Sequence, residues 1–293
     1  MSAIHKSTQQ AALRECHRRY VDKQNFRHGL DYHESYGEPP TICFLPSDDN
    51  SRHGNFAPET YRAILAKPDW RRRLDKIHTA KRSLPRTGRP WRELDSSNSS
   101  DALLMNIFCH PGMLPETRVT DMLGLEPGIA PQFGFRARIP LLDGKFDRTE
   151  VDMRLGDLLV ESKLTESDFQ TKAKAVVDTY RDFAEVFDRR ALPRSGERYF
   201  SYQLIRNVLA AHAHDCSFCV MADARRPDLV EAWYAIMRCV KIGDLRRRCK
   251  MLTWQELALV LPPKLQEFLE HKYGISAGDT ASSAPAGASD AWN

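Results

Sequence analysis

The stretch from Thr149 to Glu166, TEVDMRLGDLLVESKLTE, leaves this chain little choice of local structure. Two runs with strand character, Glu150 to Leu155 and Leu158 to Leu164, flank Gly156 and Asp157, and a Gly-Asp pair between such runs makes a two-residue hairpin turn. The turn fixes the register. With Leu155 opposite Leu158, counting outward sets Met153 against Val160, Asp152 against Glu161, Val151 against Ser162 and Glu150 against Lys163. Side chains alternate across a strand, so Glu150, Asp152, Glu161 and Lys163 share one face while Val151, Met153, Val160 and Leu164 share the other. The second face can be buried. The first opposes two carboxylates, which costs roughly a few tenths of a kcal/mol or more unless a cation lies between them.

The flanking sequence places other elements around this hairpin. A short helical pattern at Ala11 to Tyr20 precedes an irregular stretch with Pro39, Pro40, Pro46 and Gly54; a second helix is expected over Pro58 to Ile77, then a Pro/Gly link from Pro85 to Pro90. Ser99 or Ser100 can cap a helix carrying Leu103, Leu104, Ile107 and Phe108 on one side, with Asp101 in its first turn and Pro111-Gly112 at its end. Gln132 to Leu141 alternates, with Phe133, Phe135, Ala137 and Ile139 opposite Arg136 and Arg138, as a strand does. After the hairpin, Phe169, Ala173, Val176, Tyr180, Phe183 and Phe187 have helical spacing, so a long amphipathic helix is expected from Ser167 or Asp168. A helix over Glu197 to Ala213, a strand Ser217 to Ala222, a helix from Pro227 to Val240, a strand Lys250 to Thr253 and helices Trp254 to Leu261 and Pro263 to Tyr273 complete the pattern. Strands bracketed by helices predict an α/β architecture, with a mixed sheet because the hairpin is antiparallel. The expected division is an N-terminal extension over 1–95, a core over 96–275 and a disordered Ala/Ser/Gly/Asp tail over 276–293.

Charge is spread unevenly along the 293 residues. The net value is only +4, yet ten Lys or Arg residues lie between Lys67 and Arg92 against Asp69 and Asp75 alone. Such a block, with Arg71, Arg72 and Arg73 at its centre, suits a phosphate-rich partner or a solvated helix face. No apolar run approaches the ~18 residues of a membrane helix, and the first residues, MSAIHKSTQQ, lack the apolar centre of a secretory signal. A cytoplasmic location with its seven cysteines reduced is the expectation.

Asp152, Glu161 and Lys163 form D-x8-E-x-K on adjacent strands. In this the chain resembles the PD-(D/E)xK nuclease superfamily, of restriction-endonuclease-like fold. The likeness extends to the Ser99-Ser100-Asp101-Ala102-Leu103 helix start, Glu161 to Glu166, Tyr202-Gln203-Leu204-Ile205-Arg206-Asn207 and the Lys272-Tyr273-Gly274 ending, across about residues 97 to 275. It implies a metal-dependent deoxyribonuclease in which Asp152 and Glu161 hold Mg²⁺, with Mn²⁺ able to substitute, and Lys163 orients or helps deprotonate the attacking water. Hard carboxylate oxygens suit Mg²⁺. The resemblance also implies double-stranded DNA as partner, 5′-phosphate and 3′-hydroxyl products, and a homodimer in which two sites reach two strands. Two departures stand out: Val151 precedes Asp152 where the superfamily has Pro, and the auxiliary helix Glu is replaced by Asp101, a shorter candidate ligand. Glu150 is either a second ligand or the salt-bridge partner of Lys163, and the register favours the partner. A non-catalytic nucleic-acid-binding or regulatory protein on the same fold is the alternative function.

Gln203 and Arg206, with Asn207, lie on the polar side of a helix whose Ile205, Val208 and Leu209 face inward, which makes them candidates to bind substrate phosphate. His212, His214, Cys216 and Cys219 carry zinc-binding chemistry, but no second Cys/His pair stands at a typical distance, and Cys219 reads better as core. There is no G-x-x-x-x-G-K loop for ATP and no nucleophile elbow.

Overall fold

Alternating apolar residues build a five-stranded sheet from β1 (Gln132–Arg136), β2 (Glu150–Leu155), β3 (Leu158–Ser162), β4 (Ser217–Ala222) and β5 (Cys249–Thr253), in the computed structural model, which describes residues 2–36, 40–78, 84–113 and 115–278. Their spatial order is β5-β4-β3-β2-β1. The β1–β2 and β2–β3 pairs are antiparallel, and β3–β4 and β4–β5 are parallel, so the sheet is mixed. The hairpin register is the one counted from the turn: Leu155 pairs Leu158 and Met153 pairs Val160, with Gly156 at φ +61° supplying the left-handed turn residue. Strand β3 is buried along its whole length, as a central strand covered on both faces must be.

Helices cover both faces of the sheet. They are α1 (Ser2–His28), α2 (Pro58–Ala66), α3 (Pro68–Arg71), α4 (Ser100–Phe108), α5 (Thr117–Leu123), α6 (Tyr202–Ala213), α7 (Pro227–Met237), α8 (Gly243–Arg248), α9 (Trp254–Ala258) and α10 (Pro263–Tyr273). On one side Leu159, Phe218 and Val220 pack in a cluster with Ile205 and Val208 of α6 and Trp233 and Ile236 of α7. On the other, Met153, Val160, Cys219 and Met221 join Leu104 and Phe108 of α4, Trp254 of α9 and Leu269 of α10. Truncating such a fully buried leucine costs about 2–5 kcal/mol. No helix among the described residues is long and apolar enough to cross a membrane.

Several local expectations need correction. The long helix from Ser167 or Asp168 to Phe187 is absent; the segment holds single helical turns at Lys174–Val177 and Phe183–Val186. Non-local pairing overrides its helical spacing. Leu142 N donates to Thr179 O, Tyr180 bridges Leu141, and the Tyr180 hydroxyl donates to Asp147 at 2.5 Å, so Phe169, Tyr180, Phe183 and Phe187 are buried without a helix while Val176 stays exposed. The strand expected over Gln132 to Leu141 ends at Arg136, because Arg138 adopts φ +50°, and Ile139–Pro140 pairs separately with Phe146–Asp147. The helix expected over Pro58 to Ile77 breaks at Pro68 and ends in a 3₁₀ turn, Arg72–Asp75. The helix expected from Glu197 starts at Tyr202, after a strand pair that ends with Arg198–Tyr199. The stretch between α1 and α2 contains an antiparallel pair, Tyr32–Glu34 with Ile42–Phe44.

One face assignment also changes. Val151 belongs to the cluster under α6, whereas Met153 and Val160 belong to the opposite one, so side-chain alternation in β2 is interrupted at Asp152. The neighbouring strand changes at the same level: Gly134 of β1, at φ +65°, falls between the pairs Phe133↔Met153 and Phe135↔Val151, with Phe133 packed on the α4-side cluster and Phe135 on the α6-side one.

N-terminal segments are tied to the sheet. Gln9 of α1 donates to Leu164 O at 3.0 Å and to the Asp223 carboxylate at 3.1 Å, and Gln10 donates to Thr165 O at 2.7 Å. Trp70 of α3 donates to Pro131 O at 3.0 Å, just before β1. Of the tail, residues 279–293 lie outside the described residues.

Candidate active site

The hairpin opens where its acids begin. The β2–β3 ladder runs from Leu155↔Leu158 to Met153↔Val160 and stops one step short of the Asp152–Glu161 position. Beyond it a side chain replaces the ladder bond: Ser162 N donates to Asp152 Oδ2 at 2.7 Å, while Lys163 N donates to Met221 O at 2.8 Å. Strand β3 therefore follows β4 away from β2, and Asp152 stands in the fork.

Glu161 is 1% exposed and held at both oxygens. Oε1 accepts from Lys163 Nζ at 2.7 Å, and Oε2 accepts from Asn207 Nδ2 at 2.7 Å. The Lys163 ammonium also donates to Gln203 Oε1 at 2.9 Å and lies 5.5 Å from the centre of the Phe169 ring. Burial opposes its charge most strongly, yet Glu161, Glu166 and Asp152 together outweigh that and hold its pKa above the ordinary lysine range. Lys163 is thus a fixed ammonium with its present neighbours.

Asp152 behaves in the opposite way. Burial first, then the negative charges of Glu161 and Asp101, push its pKa well above the usual carboxylate range, against the smaller opposing effects of Lys163 and the Ser162 N–H. A divalent cation beside Asp152 and Glu161 reverses both unfavourable influences, and the donor set is the hard oxygen kind that Mg²⁺ takes. Among the described residues no group of three His, Cys, Asp or Glu side chains converges on one point, so Asp152 and Glu161 are the carboxylates this position offers to an ion.

Gln203 holds Lys163 through its carbonyl, which leaves its amide NH₂ to donate elsewhere. Arg206 is enclosed. It is 4% exposed, its Nε and Nη2 donate to Asn207 Oδ1 at 3.1 and 3.0 Å, and Nη2 also reaches Glu150 O at 3.0 Å. With Nε and Nη2 so engaged, it orients the Asn207 amide, which in turn orients Glu161. Asn207, grouped in the sequence with Gln203 and Arg206 as a phosphate contact, instead holds the Glu161 carboxylate. Its spacing from Gln203 puts it one helical turn along the same side of α6.

The salt bridge expected between Glu150 and Lys163 is not formed. Glu150 accepts from Arg73 Nη1 at 2.9 Å, because the strands have parted by the time they reach that level and Arg73 enters from the 3₁₀ turn after α3. Asp101, in the first turn of α4 beneath the Ser99 cap, is half of the same arrangement: its Oδ2 accepts from Arg73 Nη2 at 2.7 Å and from Lys76 Nζ at 3.1 Å. Arg73 is consequently enclosed, 10% exposed, and not a free phosphate contact. Arg71 and Arg72 are exposed, with Arg72 paired to the equally exposed Asp69. Lys81 and Arg82 of the basic block lie outside the described residues.

His212, His214, Cys216 and Cys219 each have another partner. His212 faces Glu185 at 3.9 Å, His214 meets Ala137 O, the Cys216 thiol donates to His214 O at 3.4 Å, and Cys219 is buried in the cluster on the α4 side of the sheet.

A mixed sheet flanked by helices, whose central hairpin opens on an Asp, a Glu and a Lys, defines a restriction-endonuclease-like protein. The chain belongs to the family described as Restriction Endonuclease associating with ARP, whose model matches residues 16–274. That match begins within α1, at residue 16, and so takes in residues that the motif likeness did not reach. Comparison with curated proteins and with solved structures found no match.

Proposed function

We propose that this chain is a metal-dependent endodeoxyribonuclease that hydrolyses phosphodiester bonds of double-stranded DNA and leaves 5′-phosphate and 3′-hydroxyl ends. One observation supports the proposal: in a chain of a restriction-endonuclease family, the hairpin parts at Asp152, which takes the Ser162 N–H, while the neighbouring Glu161 holds the Lys163 ammonium. Asp152 and Glu161 are the residues to hold Mg²⁺, or Mn²⁺ in its place. Bound there, the ion supplies a Lewis acid for the scissile phosphate and lowers the pKa of a bound water.

The chain's own groups do the rest. Lys163, fixed by Glu161 and Gln203, offsets charge developing on the phosphate. As an ammonium it orients the water rather than taking its proton. Gln203 donates its free NH₂ to a phosphate oxygen, and Arg206 acts through Asn207 to keep Glu161 aimed. Arg71 and Arg72 supply DNA-backbone attraction from the edge of the site. Cutting both strands calls for two such sites, which a homodimer provides. The family's description names an association with ARP, and we extend that partner to this chain; co-purification of the two from one expression host tests it.

Purified protein incubated with supercoiled and linear DNA in Mg²⁺, Mn²⁺ or EDTA decides the main point. Cleavage in either metal, lost in EDTA and in Asp152→Ala and Lys163→Ala, is the expected result. Cleavage surviving both substitutions refutes the site, and DNA binding without cleavage in any metal establishes the non-catalytic alternative.

A further inference from the structure

We propose that Arg73 is a built-in cation of this active site: its guanidinium neutralises the acids on the α4 side of Asp152, so that the centre takes one divalent ion, at Asp152 and Glu161, and Asp101 is not a metal ligand. The inference rests on the metal-dependent reading above and specifies its stoichiometry.

The geometry is that of a fitted insertion. Arg73 reaches from the 3₁₀ turn Arg72–Asp75 and divides its fork between elements far apart in sequence, Nη2 to Asp101 on α4 and Nη1 to Glu150 on β2. Arg73 and Asp101 are only 10% and 8% exposed, and Lys76 closes on the same Asp101 oxygen. The fork passes over Gly134, the β1 residue that falls across from Asp152. A Cβ at Gly134 would collide with Arg73 Nη1, and Gly134 has φ +65°, so β1 gives up both a side chain and ordinary backbone to admit the guanidinium. Strand β1 departs from regular pairing at the very position that Arg73 occupies.

Charge explains why the insertion matters. Asp101 is close enough to Asp152 for its negative charge to act on it. With Arg73 removed, the carboxylates of Asp101 and Glu150 that its fork now bridges would lose that guanidinium beside Asp152, leaving oxygens able to draw in a second hard cation. A guanidinium cannot be deprotonated and does not exchange with solvent ions, so Arg73 supplies that positive charge permanently and in a fixed direction. The consequence reaches the N-terminal segment: a residue before position 96 completes the charge balance of a site whose other members all follow it.

The test counts ions rather than turnover. Full-length protein, without DNA, is titrated with Mn²⁺ alone, and bound ions are counted by electron paramagnetic resonance and calorimetry, with circular dichroism on every variant. The wild type is expected to bind one Mn²⁺ per chain and Asp152→Ala none. Asp101→Asn is expected to retain one ion with affinity changed by less than about threefold, since loss of a true ligand or its orienting partner costs about 10–100-fold. Arg73→Ala is expected to gain a second ion, and the double variant Arg73→Ala/Asp101→Asn to lose it again. Should Arg73→Ala fail to fold, Asp101→Asn, in which Arg73 keeps Glu150, decides alone. Two ions in the wild type, a tenfold or greater loss in Asp101→Asn, or a folded Arg73→Ala still binding one overturns the proposal. A wild type that binds no Mn²⁺ removes the metal-dependent reading itself, and this proposal with it.

Discussion

Replacing Asp152 by Asn should make the metal-free protein more stable and the metal-loaded protein relatively less stable. In the folded chain an ionised Asp152 suffers burial and the fields of Glu161 and Asp101, which Lys163 and the Ser162 N–H do not offset. Asn removes the charge while its Oδ1 can still accept the Ser162 N–H, so no buried donor is orphaned. A gain of about 1–2 kcal/mol follows, the size usual when a strained functional group is neutralised, or about 2–8 °C in Tm for a chain of this length. Mg²⁺ at about a hundred times its Kd adds about 2.7 kcal/mol to the wild type and little to the variant, so the two melting curves exchange order. The pH dependence has a definite sign. Because the folded-state pKa of Asp152 is raised, the folded chain holds that proton more tightly than the unfolded one, and this residue's contribution rises as pH falls through its folded pKa toward the ordinary ~3.9. The stability difference between variant and wild type in EDTA must therefore shrink on acidification. Differential scanning calorimetry with EDTA or Mg²⁺ across neutral to acid pH measures all of this. A variant less stable than wild type in EDTA, or equal Mg²⁺ stabilisation of both, refutes the reasoning.

Other substitutions probe the supports of the site. Lys163→Met leaves the buried Glu161 with Asn207 alone, and unpairing a buried ion of this kind costs about 3–5 kcal/mol; urea unfolding should show it, with DNA cleavage abolished. Because the pKa of Lys163 is raised, its stabilisation is fully present below the unfolded lysine value near ~10.4 and is lost as pH rises past that, so the wild type should approach the variant only in strong alkali. Asn207→Ala deprives Glu161 and Arg206 of their shared partner, at about 1.5–3 kcal/mol for bonds to charged groups, and should lower cleavage about 10–100-fold; activity intact within about twofold would deny Asn207 its role. Arg71→Ala and Arg72→Ala should each reduce the slope of log Kd for DNA against log salt by about 1 if each contacts a phosphate; nitrocellulose-filter or anisotropy titrations in increasing salt read the slope directly.

What the sequence disclosed divides by the range of the interactions involved. Gly156-Asp157, the Ser99 cap and the apolar run Ser217–Ala222 are local signals, and the hairpin register, the start of α4 and the limits of β4 follow from them as counted. Phe169, Tyr180 and Phe183 carry helical spacing but are buried by partners elsewhere, Asp147, Leu141 and Tyr199 among them, and spacing alone cannot express that. Glu150 was mispaired for the same reason. The count assumes a continuous ladder, and the ladder ends where the Asp152 side chain replaces it. Arg206, polar in sequence and on a polar stripe, proved to be buried because Asn207 and Glu150 O supply its acceptors.

The same end of ladder explains why the proposed centre lies here and not elsewhere on the sheet. A continuous antiparallel ladder holds opposed residues about 4.5–5.5 Å apart and fills the space between with backbone hydrogen bonds. Parting β2 from β3 after Met153↔Val160 frees that space, and the protein fills it with side-chain bonds from α6 on one side and α4 on the other: Asn207 and Gln203 reach in to Glu161 and Lys163, while Asp101 and Arg73 close toward Glu150. Three elements far apart in sequence must be seated before the two carboxylates have their final charge environment. One of these, the turn bearing Arg73, lies among residues to which the motif likeness did not extend, and the family match from residue 16 includes it. The segment preceding the core is bound to the sheet by Trp70 and to the site by Arg73, so removing it would strip Asp101 and Glu150 of their cation as well as exposing core.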